Sequence, residues 1–294
     1  MTIPAGSVLA SALVSGLLLG GLFAVTALGL SLVFGVLRLV NLAHGELVVL
    51  GAYLALELSG HAGWDPLATI PVVAAALFVL AVPAHRVLLE PLAARGAEPA
   101  LLTTFALSVL AQNVFILAWS GDTQALQARY ASSSVTVAGL SLQVTSLIAF
   151  GIALVLCAVV HLLLRRTGLG RRIRASAEDP EAASALGVNV ARVHALVFGL
   201  AAACAAVGGV LVGLVSDFTP VTGLTYLISG FAVVVLGGLG SVTGTLLGGI
   251  ALGVAENAGA AFFGDGWRDF TGFAVFLVVL SLRPQGLFGQ VTPR

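Results

Sequence analysis

Ten apolar runs divide this chain, near residues 6–22, 24–37, 44–59, 66–90, 99–119, 145–164, 192–215, 222–238, 241–259 and 268–282. A helix crosses a hydrocarbon core with ~20 residues, and several of the runs reach that length. Lipid offers backbone amides no partner, so a run of this kind satisfies itself only as a helix. Some runs are short. The pattern predicts an all-α integral membrane protein, one transmembrane domain over residues 1–294, with about eight to ten transmembrane or half-spanning helices.

Composition agrees: 59% of residues are hydrophobic and 9% are charged, against roughly a quarter charged in soluble domains. The first charged side chain is Arg38. The uncharged stretch before it is too long for a cleavable signal and lacks a basic start, so it reads as mature membrane structure. Every cation among the 13 Lys+Arg is an arginine. The absence of lysine excludes a Walker A phosphate loop and a lysine Schiff base. If ATP drives this protein, another chain binds it. Cys157 and Cys204 lie within apolar runs and read as small buried hydrophobes.

Arginine is concentrated at Arg86 and Arg95, between Arg165 and Arg192, and in the tail that ends at Arg294. The positive-inside rule makes these regions cytoplasmic. Loops near 60–65, 120–144, 216–221 and 260–267 then face outward, and only the second holds an arginine, Arg129. Charge leaves the side of the N-terminus open.

Two polar or glycine-rich breaks interrupt the apolar pattern. One runs through Asn41, His44 and Glu46; the other contains Gly238, Ser241 and Thr243. Interrupted segments in both halves of a chain point to a transport pathway and to an internal repeat. His44 and Glu46 offer too few ligands for zinc. They either satisfy the freed backbone and each other or line a gate. Ser241 and Thr243 either bind the polar ends of a zwitterion or bond back to helix carbonyls. The glycines spaced by four from Gly240 onward suit close helix packing. Glu57 and Glu256 read as solvated interface residues, and His85 and His161 have no evident partner.

The densest charge lies at 165–194. Gly168 and Gly170 loosen the preceding span, Asp179 and Pro180 open a helix of two to three turns, and Gly187 with Asn189 ends it. Taken by itself, this stretch is either a solvated loop that sets topology or a cytoplasmic docking surface.

Glu181-Ala182-Ala183-x-x-x-Gly187 resembles the EAA loop of bacterial ABC importer permeases, here within about 165–191. Together with Asn41-Leu-Ala-His44-Gly45-Glu46 and Leu236-Gly-Gly-Leu-Gly-Ser-x-x-Gly244, it resembles the branched-chain amino acid permease family, in particular its LivH-like members. That resemblance implies a coupling helix carrying Glu178, Asp179, Glu181, Ala182, Ala183 and Gly187. It also implies a pathway or gate near Asn41, His44, Glu46, Gly238, Ser241 and Thr243.

The partners it implies are two ABC ATPase subunits holding ATP and Mg, a second LivM-like permease, an extracytoplasmic solute-binding protein and membrane lipid. The location is the bacterial inner membrane, and this chain binds no cofactor or metal. The implied cargo is a branched-chain or related amino acid, with urea, short amides or small carboxylates as alternatives. Residues 120–144 match no part of the pattern. An ion-gradient-driven transporter using His44 and Glu46 would leave the 165–192 charge unexplained. An intramembrane enzyme lacks a convergent acid–base set, and nothing suggests nucleic acid.

Overall fold

The computed structural model describes residues 6–93, 95–137, 140–283 and 286–287; Arg294 lies outside them. The helices are α1 (Gly6–Leu37), α2 (His44–Ala62), α3 (Pro66–Ala84), α4 (Glu90–Ala93), α5 (Ala97–Trp119), α6 (Val144–Arg166), α7 (Gly168–Glu178), α8 (Pro180–Ala185), α9 (Val190–Val215), α10 (Gly223–Gly237), α11 (Val242–Phe263) and α12 (Arg268–Leu282). A π turn, His85–Leu89, joins α3 to α4. A hairpin of β1 (Ser134–Val137) and β2 (Leu140–Gln143) lies in the outer loop, with Ser134 opposite Gln143.

Among the described residues, six helices are long and apolar enough to cross a membrane, and α10 is a shorter apolar helix. With the partly embedded α2 and α12 this agrees with the predicted architecture. The separate runs 6–22 and 24–37 are a correction, because they form one 32-residue helix. At ~1.5 Å per residue it is longer than the ~30 Å core, so it tilts or protrudes. Gly16 and Gly20 do not break α1. They let its backbone lie directly on Gly253 and Gly249 of α11, where a Cβ would come within 2.7 Å of backbone atoms. On α11, Gly249 and Gly253 face α1 while Gly244 and Gly248 face α10, so the small-residue stripe packs two neighbours.

α1 and α9 form the centre, with 78% and 83% of their apolar windows buried. The windows of α3, α5 and α6 are 22% or less buried and form the periphery. Cys157 and Cys204 are buried free thiols. The Arg38 guanidinium donates to the Ala177 carbonyl at 3.2 Å, which ties the end of α1 to the arginine-rich side. Because α1 is a single span, Gly6 lies on the opposite, outer side.

α2 runs beside α5 in the same direction. Leu42 N donates to Thr104, Glu46 accepts from Ser108 and Gln112, and Glu57 accepts from Trp119. At ~1.5 Å per residue, Glu46 sits ~20 Å above the inner end of α5. α2 therefore starts at mid-membrane and runs outward. Gly45 lies directly on Gly223, so α10 starts at the same depth and runs inward.

The packing repeats with this inversion. α1 lies along α11 as α9 lies along α3, and α2 crosses α9 as α10 crosses α1. The units α1–α2–α3 and α9–α10–α11 are inverted repeats. The matching breaks are 38–43 and 216–222, which corrects the pairing with 237–244. The outer loop closes over this end through Leu126 N to Gly213 O (2.8 Å), paired Gln124 and Phe218 backbones, and Tyr130 to Asp65 (2.9 Å). Burial, then the Asp65 carboxylate, pushes the Tyr130 phenol above its ordinary range, so it stays a neutral donor.

Candidate functional site

The first turn of α2 is built by the break before it. Asn41 Oδ1 accepts from Ala43 N at 3.1 Å, and its carbonyl accepts from His44 N at 3.3 Å, so the asparagine turns the chain into the helix. His44 Nε2 meets the Thr26 carbonyl at 2.8 Å. A carbonyl only accepts, so that nitrogen carries the proton. Glu46 Oε1 accepts from Ser108 Oγ at 3.1 Å and Gln112 Nε2 at 2.8 Å. Its Oε2 is buried with no hydrogen-bond partner among the described residues. Both oxygens lie beside Gly223, at the amino end of α10, where the helix dipole favours a carboxylate.

Asn41, His44 and Glu46 thus come together in one buried junction: Asn41 and His44 satisfy backbone groups at the break and on α1, and Glu46 bonds to α5, while no side chain of the three bonds to another's side chain. Beside them an apolar cavity of ≈ 370 Å³ opens between α2, α3 and α5, with Glu46, Leu50, Leu80, Leu110 and Phe115 in its wall. That volume lies within the range of small-molecule sites. Ser108, Gln112 and Gly223 were not anticipated. The first two, with Thr104, recur every four residues along α5 and so share one helix face, a usable signal; Gly223 is one of 36 glycines and gives none.

Gly238 and Ser241 lie elsewhere, in the tight turn between α10 and α11 at the inner end, and Thr243 lies in the first turn of α11. Gly238 and Gly240 have φ of +89° and +78°, the left-handed region that favours glycine. Ser241 caps α11 by accepting from Gly244 N at 3.0 Å, and its carbonyl accepts from Thr245 Oγ1 at 2.8 Å. The two predicted pathway groups line different cavities and are not brought together.

On the cytoplasmic side, Thr167 caps α7 by accepting from Gly170 N at 3.0 Å. Gly168 and Gly170 therefore begin a new helix and do not fray the old one. Asp179 Oδ1 accepts from Glu181 N and Ala182 N, both at 3.0 Å. The helix it caps, α8, has six residues, shorter than predicted, and Glu178 belongs to α7. Gly187, φ +85°, ends the turn while Val188 N returns to Ala183 O at 3.0 Å. Ala183 is buried and anchors α8; Glu181, Ala182 and Leu186 face out, Leu186 being 86% exposed.

The sequence model described as "Branched-chain amino acid transport system / permease component" matches residues 12–280. The chain belongs to that family. It is 33% identical to the high-affinity branched-chain amino acid transport system permease protein BraD of Pseudomonas aeruginosa, over 95% of each chain. It is 30% identical to LivH of Escherichia coli over 94% of each. A probable LivH of Methanocaldococcus jannaschii is 29% identical over 89% of this chain and 84% of its own. No solved structure matches. The protein is a multi-pass inner-membrane permease of an ABC transport system, a non-catalytic subunit that works with ATPase and other components.

One further residue of this permease departs from expectation: Glu256 is not at a wet interface but 4% exposed against Gly272 of α12. Glu57, its side chain 40% exposed, keeps to the expected interface and is held by Trp119 Nε1 at 2.6 Å and His61 at 2.8 Å. His85 is buried with its ring 5.3 Å from that of Phe198, and its Nδ1 has no hydrogen-bond partner among the described residues.

Proposed function

We propose that this permease carries branched-chain amino acids inward by alternating access, driven by two ATPase subunits that hold ATP and Mg and dock on α8. A second, LivM-like permease completes the path, and an extracytoplasmic binding protein delivers the cargo. The observation that carries this reading is the junction at mid-membrane, where α2 and α10 meet at Gly45 and Gly223 beside one buried carboxylate and an apolar cavity. An aliphatic side chain suits the cavity, and Glu46 Oε2 offers an acceptor to an ammonium group. Half-helices that meet at a repeat interface give a closure that one repeat can open by rocking against the other.

On the inner face, α8 is short, capped at both ends and anchored by Ala183, so it transmits displacement as a rigid unit. Its exposed Glu181, Ala182 and Leu186 suit the groove of a partner. The reading accounts for a chain that has no lysine for a phosphate loop of its own.

The test is uptake into proteoliposomes containing this chain with its co-encoded ATPases, second permease and binding protein. ATP-dependent uptake of leucine, indifferent to protonophores, is expected. Uptake of urea or acetamide in place of leucine would overturn the cargo, and uptake that needs an ion gradient but no ATP would overturn the mechanism.

A further inference from the structure

A second cavity, of ≈ 460 Å³, opens on the cytoplasmic side between α1, α6, α7 and the α10–α11 turn. Arg165 and Arg174 stand at it with His161, and the hydroxyls of Ser241 and Thr243 line the opposite side. Leu32, Val36 and Leu164 form an apolar wall, and no carboxylate lines any part of it. Among the described residues neither arginine lies within ion-pairing distance of an acid. Arg174 gives one N–H to the Leu164 carbonyl, while the Arg165 guanidinium has no hydrogen-bond partner there. α7 is amphipathic: Gly170, Ile173 and Ser176 are buried, and Arg171, Arg172 and Arg174 are exposed. Its buried face packs on the protein, which leaves the arginines on the outer face of the helix.

We propose that this cavity binds a phosphate anion, and that the phosphate is the headgroup of an anionic phospholipid from the cytoplasmic leaflet. Two guanidinium groups without acids call for an anion, and their planar forks match phosphate oxygens. The apolar wall then takes the glycerol and first acyl carbons, a role that free phosphate leaves unfilled. Basic pockets between helices on the cytoplasmic side are suited to anionic headgroups. The bound headgroup would bridge α7, which leads directly into α8, to the turn at the foot of α10, whose other end is the mid-membrane junction. The lipid therefore braces the connection between the docking helix and the path, and does so whatever the cargo is.

The test uses the full-length permease in uncharged detergent, with phosphatidylglycerol, phosphatidylcholine and inorganic phosphate as probes and native mass spectrometry as the readout. One phosphatidylglycerol per chain should be retained in preference to phosphatidylcholine. Loss of one charge-assisted contact in Arg165→Gln should weaken retention about tenfold, and adding Arg174→Gln should weaken it further. The control R86Q/R95Q, also on the inner face, should retain lipid as the wild type does. Because Arg174 also holds the Leu164 carbonyl, Arg165→Gln is the deciding variant, and its unfolding temperature without lipid should not change.

Failure of millimolar phosphate to displace the lipid supports the phospholipid as the source. If phosphate alone binds, displaces lipid and depends on Arg165, the anion site stands but the lipid assignment falls. Equal retention in wild type, Arg165→Gln and the control overturns the proposal.

Discussion

Gly45 and Glu46 place two opposite demands on the same square of membrane, one for closeness and one for polarity. A Cβ on Gly45 would lie 2.6 Å from the Gly223 carbonyl carbon, so α2 and α10 can meet only without it. Gly45→Ala should cost ~1–3 kcal/mol, as overpacked cores do, and should lower the unfolding temperature in detergent. Glu46 is stabilised by Ser108 and Gln112. Gln112→Leu removes the 2.8 Å donor and should destabilise by ~1–3 kcal/mol, the usual cost of leaving a buried acceptor short of its partner, whereas the same change at exposed Asn113 should cost little. Equal melting of both variants would show that Glu46 does not depend on Gln112. Asn41, His44 and Glu46 were legible because polar side chains stand out in an apolar chain. Gly223 was not, because what matters there is a side chain that is missing, and only the neighbouring helix shows why.

Among the elements, α8 was the most legible and α1 the least. The ends of α8 are written locally: Asp179 and Pro180 at one, Gly187 at the other. Its length was overestimated because Glu178 completes a separate helix, α7, whose start at Thr167 looks in sequence like the fraying of a span. α1 was divided at residue 23, and the glycine contact with α11 that runs along it as one helix is tertiary. Asp179→Ala should cost α8 ~1 kcal/mol of capping and lower ATPase co-purification. Leu186→Glu should reduce co-purification about tenfold or more, with no change in melting, since Leu186 is 86% exposed. Undiminished co-purification of Leu186→Glu would remove α8 from the docking surface.

For the whole molecule, the inverted repeat brings the break at 38–43 and the break at 216–222 to one depth. The repeat could be suspected from interrupted spans, but its second half was misplaced. Ser216 to Thr222 reads as an external turn because it contains Asp217 and Pro220, while the glycine-rich 237–244 looks more like a break. In the fold, Phe218 is 1% exposed and packs against Tyr53 with ring centroids 5.0 Å apart, so the external turn is a re-entrant segment. On the proposed mechanism, two half-helices that meet at this depth would form a barrier that rocking opens to one side at a time.

Accessibility of the junction during the ATP cycle tests that claim most directly. The measurement places a single cysteine as Ser108→Cys in a background with Cys157→Ala and Cys204→Ala, assembled with its partners in proteoliposomes. A membrane-impermeant thiol reagent is then applied from each side, with and without trapped ATP. The account predicts that labelling switches sides between the two nucleotide states. Labelling from one side only, in both states, would contradict it.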